Sequence, residues 1–245
     1  MMKPSQAELE VLLDAEALAH RAAAWLTELA RSKDGRVAIA LAGGSTPKRF
    51  YELLAEPPFR DNFPWSRTHW FWGDERFAPH DDQRSNYLMT KKALLSRAPV
   101  PQANIHPIPT EGLSPQAAAE AYERELKSFY GAEALDPSRP LFDAVILGLG
   151  DNGHTASLMP GAAAVDEHRR WAIEVLDAGP ETRITLTYPA LESCFEAAFL
   201  VAGAEKKSAL KRLRADDAGI PAGRLRVEGA LRIFTDVEAA GMILG

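Results

Sequence analysis

Three short stretches of the 245-residue chain place glycines beside side chains that can move protons or hold an anion. In Leu141 to Gly161, LFDAVILGLGDNGHTASLMPG, Gly148, Gly150 and Gly153 lead to His154. An imidazole with a pKa near ~6.5 is partly neutral at pH 7, so it can take a proton from water and hand it to a leaving group. In the second stretch, Gly43 and Gly44 precede Ser45, Thr46 and Pro47. Two glycines allow a tight turn with exposed N–H groups, two hydroxyls follow, and the next helix aims its positive end there, which is how a phosphate is held. A helix cap at Thr46 with Pro47 at the first helical position explains the same residues equally well. The third stretch is Asp74-Glu75-Arg76 with the polar loop His80 to Asn86. It reads either as a solvated loop or as a second wall, with Arg76 or Arg84 facing an anionic substrate.

Each stretch follows a strand. Phe142 to Leu147 is apolar without alternation, as in a strand of a parallel sheet covered on both faces. Arg36 to Leu41 and Thr68 to Trp72 precede the other two, and in open α/β sheets ligands bind at the carboxyl ends of such strands. Around them the pattern alternates. Helices are expected over Asp14 to Lys33, Lys48 to Ala55, Ser85 to Arg97, Ser114 to about Tyr130 and Glu205 to Arg214. Further strands are expected at Trp171 to Leu176, Arg183 to Thr187, Ala197 to Val201 and Leu231 to Phe234. Strands separated by helices, with no repeat or linker, imply a doubly wound α/β sheet in one domain over residues 1–245.

Several chemistries are disfavoured. Gly148 to Gly153 matches the dinucleotide pattern G-x-G-x-x-G, with Glu174 near the position of a ribose-binding acid. Pro160-Gly161, however, would stop a helix from Gly153 within about two turns, too soon for a crossover. Neither a Walker loop nor a Gly-x-Ser-x-Gly elbow is present. The six histidines (20, 69, 80, 106, 154 and 168) show no metal-ligand spacing, so no metal is expected. A net charge of -6 gives no reason to expect nucleic acid, and no apolar run is long enough for a bilayer. The single cysteine, Cys194, is expected as a buried, inert thiol, and the protein as soluble and cytoplasmic.

The motifs GGSTP, GDER, RSNY, GLGDNGHTASLMPG, RITLTYPAL and GAEK, in this order from Ala42 to Lys206, resemble the 6-phosphogluconolactonases. The resemblance implies a three-layer α/β/α, mostly parallel, Rossmann-like sheet. It also implies hydrolysis of 6-phospho-D-glucono-1,5-lactone in the oxidative pentose phosphate pathway, without cofactor. It makes His154 the general base and Gly43, Gly44, Ser45, Thr46, Arg183 and Lys206 the phosphate site, with Lys207 as the neighbour to distinguish. Arg76 or loop N–H groups would stabilise the oxyanion. The implied partner is a small sugar-phosphate lactone, and a monomer is expected with a dimer as alternative. Glucosamine-6-phosphate deaminases share the glycine loop and the Gly-His but continue with Phe-Asn-Glu-Pro, whereas Ala156 to Pro160 has no carboxylate; deamination is the second reading. One departure stands out: Asn152 replaces the family's usual aspartate two residues before the histidine. An asparagine carbonyl orients the ring but adds no charge. Asp74, or else Asp151, is expected to supply that charge.

Overall fold

The computed structural model describes residues 1–176, 179 and 181–242. Its strands are β1 (Glu8–Leu12), β2 (Val37–Leu41), β3 (Thr68–Trp72), β4 (Asp74–Arg76), β5 (Phe142–Gly148), β6 (Ala172–Val175), β7 (Arg183–Leu186), β8 (Cys194–Val201) and β9 (Ala230–Asp236). Six form one sheet in the order β1-β9-β8-β5-β2-β3, every neighbouring pair parallel, with helices on both faces. The chain runs outward from β2 to β3, then returns to the other side of β2 to make β5. Strand order therefore reverses between β2 and β5, and a crevice opens at their carboxyl ends. All five residues of β2 and the run Ala144 to Leu147 of β5 are buried, as two-sided cover requires.

Local signals set most boundaries. The helix Ala15–Ser32 begins where the Asp14 carboxylate accepts from the Ala17 N–H at 2.8 Å, and its apolar stripe from Leu18 to Ala30 is buried. The helix Pro115–Tyr130 is capped by Ser114, opens on a proline and ends at Gly131 with φ +81°. After β5 the glycine-rich stretch forms turns and no helix, so the dinucleotide pattern lacks its crossover. Cys194 is buried and free. Among the described residues no helix is long and apolar enough to cross a membrane.

Three expectations are corrected, and one strand is added. The helix expected from Lys48 is Ser45–Leu54, capped by Gly44 and not by Thr46; Gly44 has φ +108°, a conformation open to glycine. Trp171 to Leu176 and Arg183 to Thr187 contribute β6 and β7 to a separate antiparallel sheet, β4-β7-β6, outside the main one. Asp74-Glu75-Arg76 is itself its edge strand β4, because the buried Glu75 carboxylate gathers the N–H groups of Arg76, Asn86 and Tyr87 at 2.7–2.8 Å. The unexpected β1 adds to β9 at the edge, where Glu10 pairs with Arg21 at 3.0 Å and a half-exposed strand tolerates charge.

Two phenols finish the strands that lead into the crevice. Tyr51 Oη accepts from the Ala42 N–H at 3.0 Å and donates to its carbonyl at 2.9 Å. Tyr122 Oη does the same for Trp72, at 2.8 and 2.9 Å, on the open side of edge strand β3. Burial pushes both hydroxyls far above the usual tyrosine value, so they remain donors. Tyr51→Phe and Tyr122→Phe each strand two buried backbone groups, and each is expected to lower unfolding stability by about 1–3 kcal/mol. Urea unfolding measures it, and an unchanged midpoint would refute the assignment.

Candidate active site

The crevice is a cavity of about 570 Å³ whose walls include Gly43, Gly44, Asp74, Arg76, Asn86, Asn152, His154, Arg183 and Lys206. All three glycine-containing stretches thus meet. His154 is held through two bonds to one oxygen. The Asn152 Oδ1 atom accepts both the His154 backbone N–H, at 3.1 Å, and the ring Nδ1, at 2.6 Å. A backbone N–H can only donate, which identifies the asparagine atom as the oxygen and puts the ring proton on Nδ1. Among the described residues Nε2 has no hydrogen-bond partner, which leaves its lone pair bare.

Glycines make room for this arrangement. A Cβ on Gly150 would lie 2.1 Å from the imidazole, and one on Gly153, at φ +83°, would lie 2.5 Å from Ile220. On the other wall a Cβ on Gly43 would lie 2.1 Å from Asn86 Oδ1. Burial lowers the His154 pKa below the usual value; the Asp74 charge opposes this, Arg183 and Lys206 reinforce it, and Asp151 opposes it. The ring is therefore neutral near pH 7, and base activity should extend below pH 6.5. Asn152→Asp adds a negative charge against Nδ1, which favours the imidazolium. The acid limb of kcat/KM is expected to move to higher pH in that variant, and an unmoved limb would exclude this role for position 152.

Neither carboxylate expected to replace the missing aspartate touches the imidazole. Asp151 pairs with Lys206. Asp74 is buried, accepts from Ser157 Oγ at 2.6 Å and from Asn86 Nδ2 at 3.4 Å, and lies 3.7 Å from Arg183 Nη1. It reaches His154 only through its field. The reason is geometric: β4 turns Asp74 toward its own ladder, where Arg76 is paired in register with Arg183.

The cations sort clearly. Arg76 Nη1 donates to Asn86 Oδ1 at 3.1 Å and to the Arg84 carbonyl, so it lines the cavity and braces the loop together. Arg84 is exposed and held by Asp82 at 2.6 Å and Glu181 at 2.9 Å, outside the cavity walls. Among the described residues, the Nε atoms of Arg76 and Arg183 are buried without a hydrogen-bond partner. Lys206 reaches the cavity, whereas Lys207 packs against Gly241. Ser45 and Thr46 are not among the cavity walls; they head the helix behind Gly44, whose first-turn N–H groups have no intrahelical partner. Sequence reading missed Asn86 and Ser157 as site groups. The signal for Asn86 lay in RSNY, where Ser85 caps a helix and leaves the next polar residue buried; nothing local pointed to Ser157.

A model of the family described as glucosamine-6-phosphate isomerases/6-phosphogluconolactonase matches residues 13–233. A 6-phosphogluconolactonase of Synechocystis sp. is 39% identical over 238 residues, covering 95% of this chain and 96% of that protein. One of Nostoc sp. is 40% identical over 238 residues, with coverage of 94% and 96%. The solved 6-phosphogluconolactonase from Trypanosoma cruzi superposes with a TM-score of 0.83 at 27% identity, covering 98% of this chain and 97% of that one. For the enzyme from Thermotoga maritima the TM-score is 0.79 at 30% identity, with coverage of 94% and 99%. On sequence and on fold alike, the chain belongs to the glucosamine-6-phosphate isomerase/6-phosphogluconolactonase family.

Proposed function

We propose that this enzyme hydrolyses 6-phospho-D-glucono-1,5-lactone to 6-phospho-D-gluconate, with His154 as the base that activates water. The observation that carries the reading is the pinned imidazole: Nδ1 is committed to Asn152, and Nε2 is bare beside a cavity lined by Arg76, Arg183 and Lys206. As the water oxygen bonds to the lactone carbonyl carbon, Nε2 takes its proton. The carbonyl oxygen becomes an oxyanion, for which N–H groups of the glycine loop or the Arg76 guanidinium are the donors at hand. When the bond to the ring oxygen breaks, the imidazolium returns the proton to that oxygen.

The phosphate falls to Arg183, Lys206 and the turn Gly43-Gly44-Ser45-Thr46. A dianion accounts for two arginines on one cavity wall whose Nε atoms lack a partner among the described residues, in a chain of net charge -6. We place the reaction in the oxidative pentose phosphate pathway, and the protein in the cytoplasm as a monomer. The test is proton release in a pH-stat with freshly generated lactone, against the spontaneous rate. A rate well above background is expected. A rate no faster than water refutes the reading, and ammonia release from glucosamine 6-phosphate is then the assay for the deaminase alternative.

A further inference from the structure

Just after His154 the chain adopts a backbone conformation that its residue type resists. Ala156, on the cavity wall, has φ +47°, in the left-handed region that side chains other than glycine rarely enter. Ser157 follows, fully buried. Its N–H donates to Thr185 Oγ1 at 3.1 Å and its hydroxyl donates to Asp74 Oδ2 at 2.6 Å. Asp74 and Thr185 are register partners across β4 and β7, so Ser157 grips both ends of one rung of the small sheet. The Leu158 N–H closes the turn on the Thr155 carbonyl at 3.0 Å.

Relative distances decide what holds Asp74. Asn86 Nδ2 reaches Oδ1 only at 3.4 Å and Arg183 Nη1 stands 3.7 Å from Oδ2, whereas the Ser157 hydrogen bond, at 2.6 Å, has the length of a charge-assisted contact. The charged groups that line the cavity with His154 are Asp74, Arg76, Asp151, Arg183 and Lys206; Arg76 is engaged with Asn86 Oδ1 and the Arg84 carbonyl. Lys206 and Asp151 are paired with each other, which leaves Asp74 and Arg183 as the couple whose balance is open to adjustment. Resting on the lactone-hydrolase reading, we propose that Ser157 is a positioning residue: its hydroxyl fixes the Asp74 carboxylate between the His154 loop and the Arg183 guanidinium. It thereby sets the field in which His154 accepts its proton. The left-handed turn at Ala156 is retained because it delivers Ser157 to that rung.

The test is a double-mutant cycle on the full chain, Ser157→Ala with and without Asp74→Asn, read as kcat and as the His154 titration by NMR of labelled histidine. Without the hydroxyl the carboxylate field is less damped, so the imidazolium is favoured and the His154 pKa rises. With Asp74 in place, Ser157→Ala is expected to lower kcat about tenfold and to raise that pKa; in the Asp74→Asn background kcat changes less than about twofold and the pKa does not move. A purely structural Ser157 would produce the same loss in both backgrounds with an unshifted titration, and that result overturns the proposal. If the wild type hydrolyses no lactone, the functional reading has failed instead, while the titration arm still decides whether Ser157 acts on His154 through Asp74.

Discussion

Replacing His154 by alanine is expected to lower kcat for lactone hydrolysis by about 10²- to 10⁴-fold, the usual contribution of a positioned general base. The geometry makes the loss specific. Asn152, which holds Nδ1 at 2.6 Å, is a non-basic amide, and Asp74, committed to Ser157 at 2.6 Å, makes no contact with the imidazole, so neither takes over the proton. Residual catalysis over the spontaneous rate should remain, because the cations of the cavity still bind the substrate. Added imidazole should restore part of the rate, since Gly150 leaves an imidazole-shaped space that alanine does not fill. The measurement is initial rate in a pH-stat with and without imidazole. A variant within about tenfold of the wild type would exclude His154 as the base.

Arg183→Gln is expected to raise KM for the phosphorylated lactone by about 10- to 100-fold, the loss of a hydrogen bond to a charged group. Arg183 lies in the second sheet; its Nε is buried without a hydrogen-bond partner among the described residues, and its Nη1 pairs with Asp74 only at a long 3.7 Å, which leaves guanidinium N–H groups for an anion. Its positive charge also helps to keep the His154 pKa low, and the variant should move the acid limb of the rate profile upward. Kinetics with unphosphorylated glucono-1,5-lactone supply the control. There, wild type and variant should share one KM, and a KM raised equally for both lactones would remove the phosphate role.

Much of the site could be read from local sequence because glycine and histidine act locally. Gly148, Gly150 and Gly153 after an apolar run announce a turn at a strand end, and Gly43-Gly44 announces another. What those turns face is not local. Asn86 enters the cavity because Glu75 gathers the Ser85 hydroxyl and the Asn86 and Tyr87 N–H groups, through bonds across 10 to 12 positions of sequence. Ser157 reaches a carboxylate 83 positions away. No periodicity encodes such pairs, since they arise only when segments far apart in sequence pack together.

The sequence by itself determined the alternation of strands and helices, the buried central strand that carries His154, and the failure of the dinucleotide pattern at Pro160-Gly161. Those follow from side-chain period, cap chemistry and the conformations that glycine and proline allow. Only the tertiary structure decided that β4, β6 and β7 leave the main sheet, that Asp74 serves Ser157 and Arg183 while Asn152 orients the imidazole, and that Lys206 faces the cavity while Lys207 does not. The physical reason is that hydrogen bonding and charge pairing choose among polar residues by distance, and distances between residues far apart in sequence are set by packing.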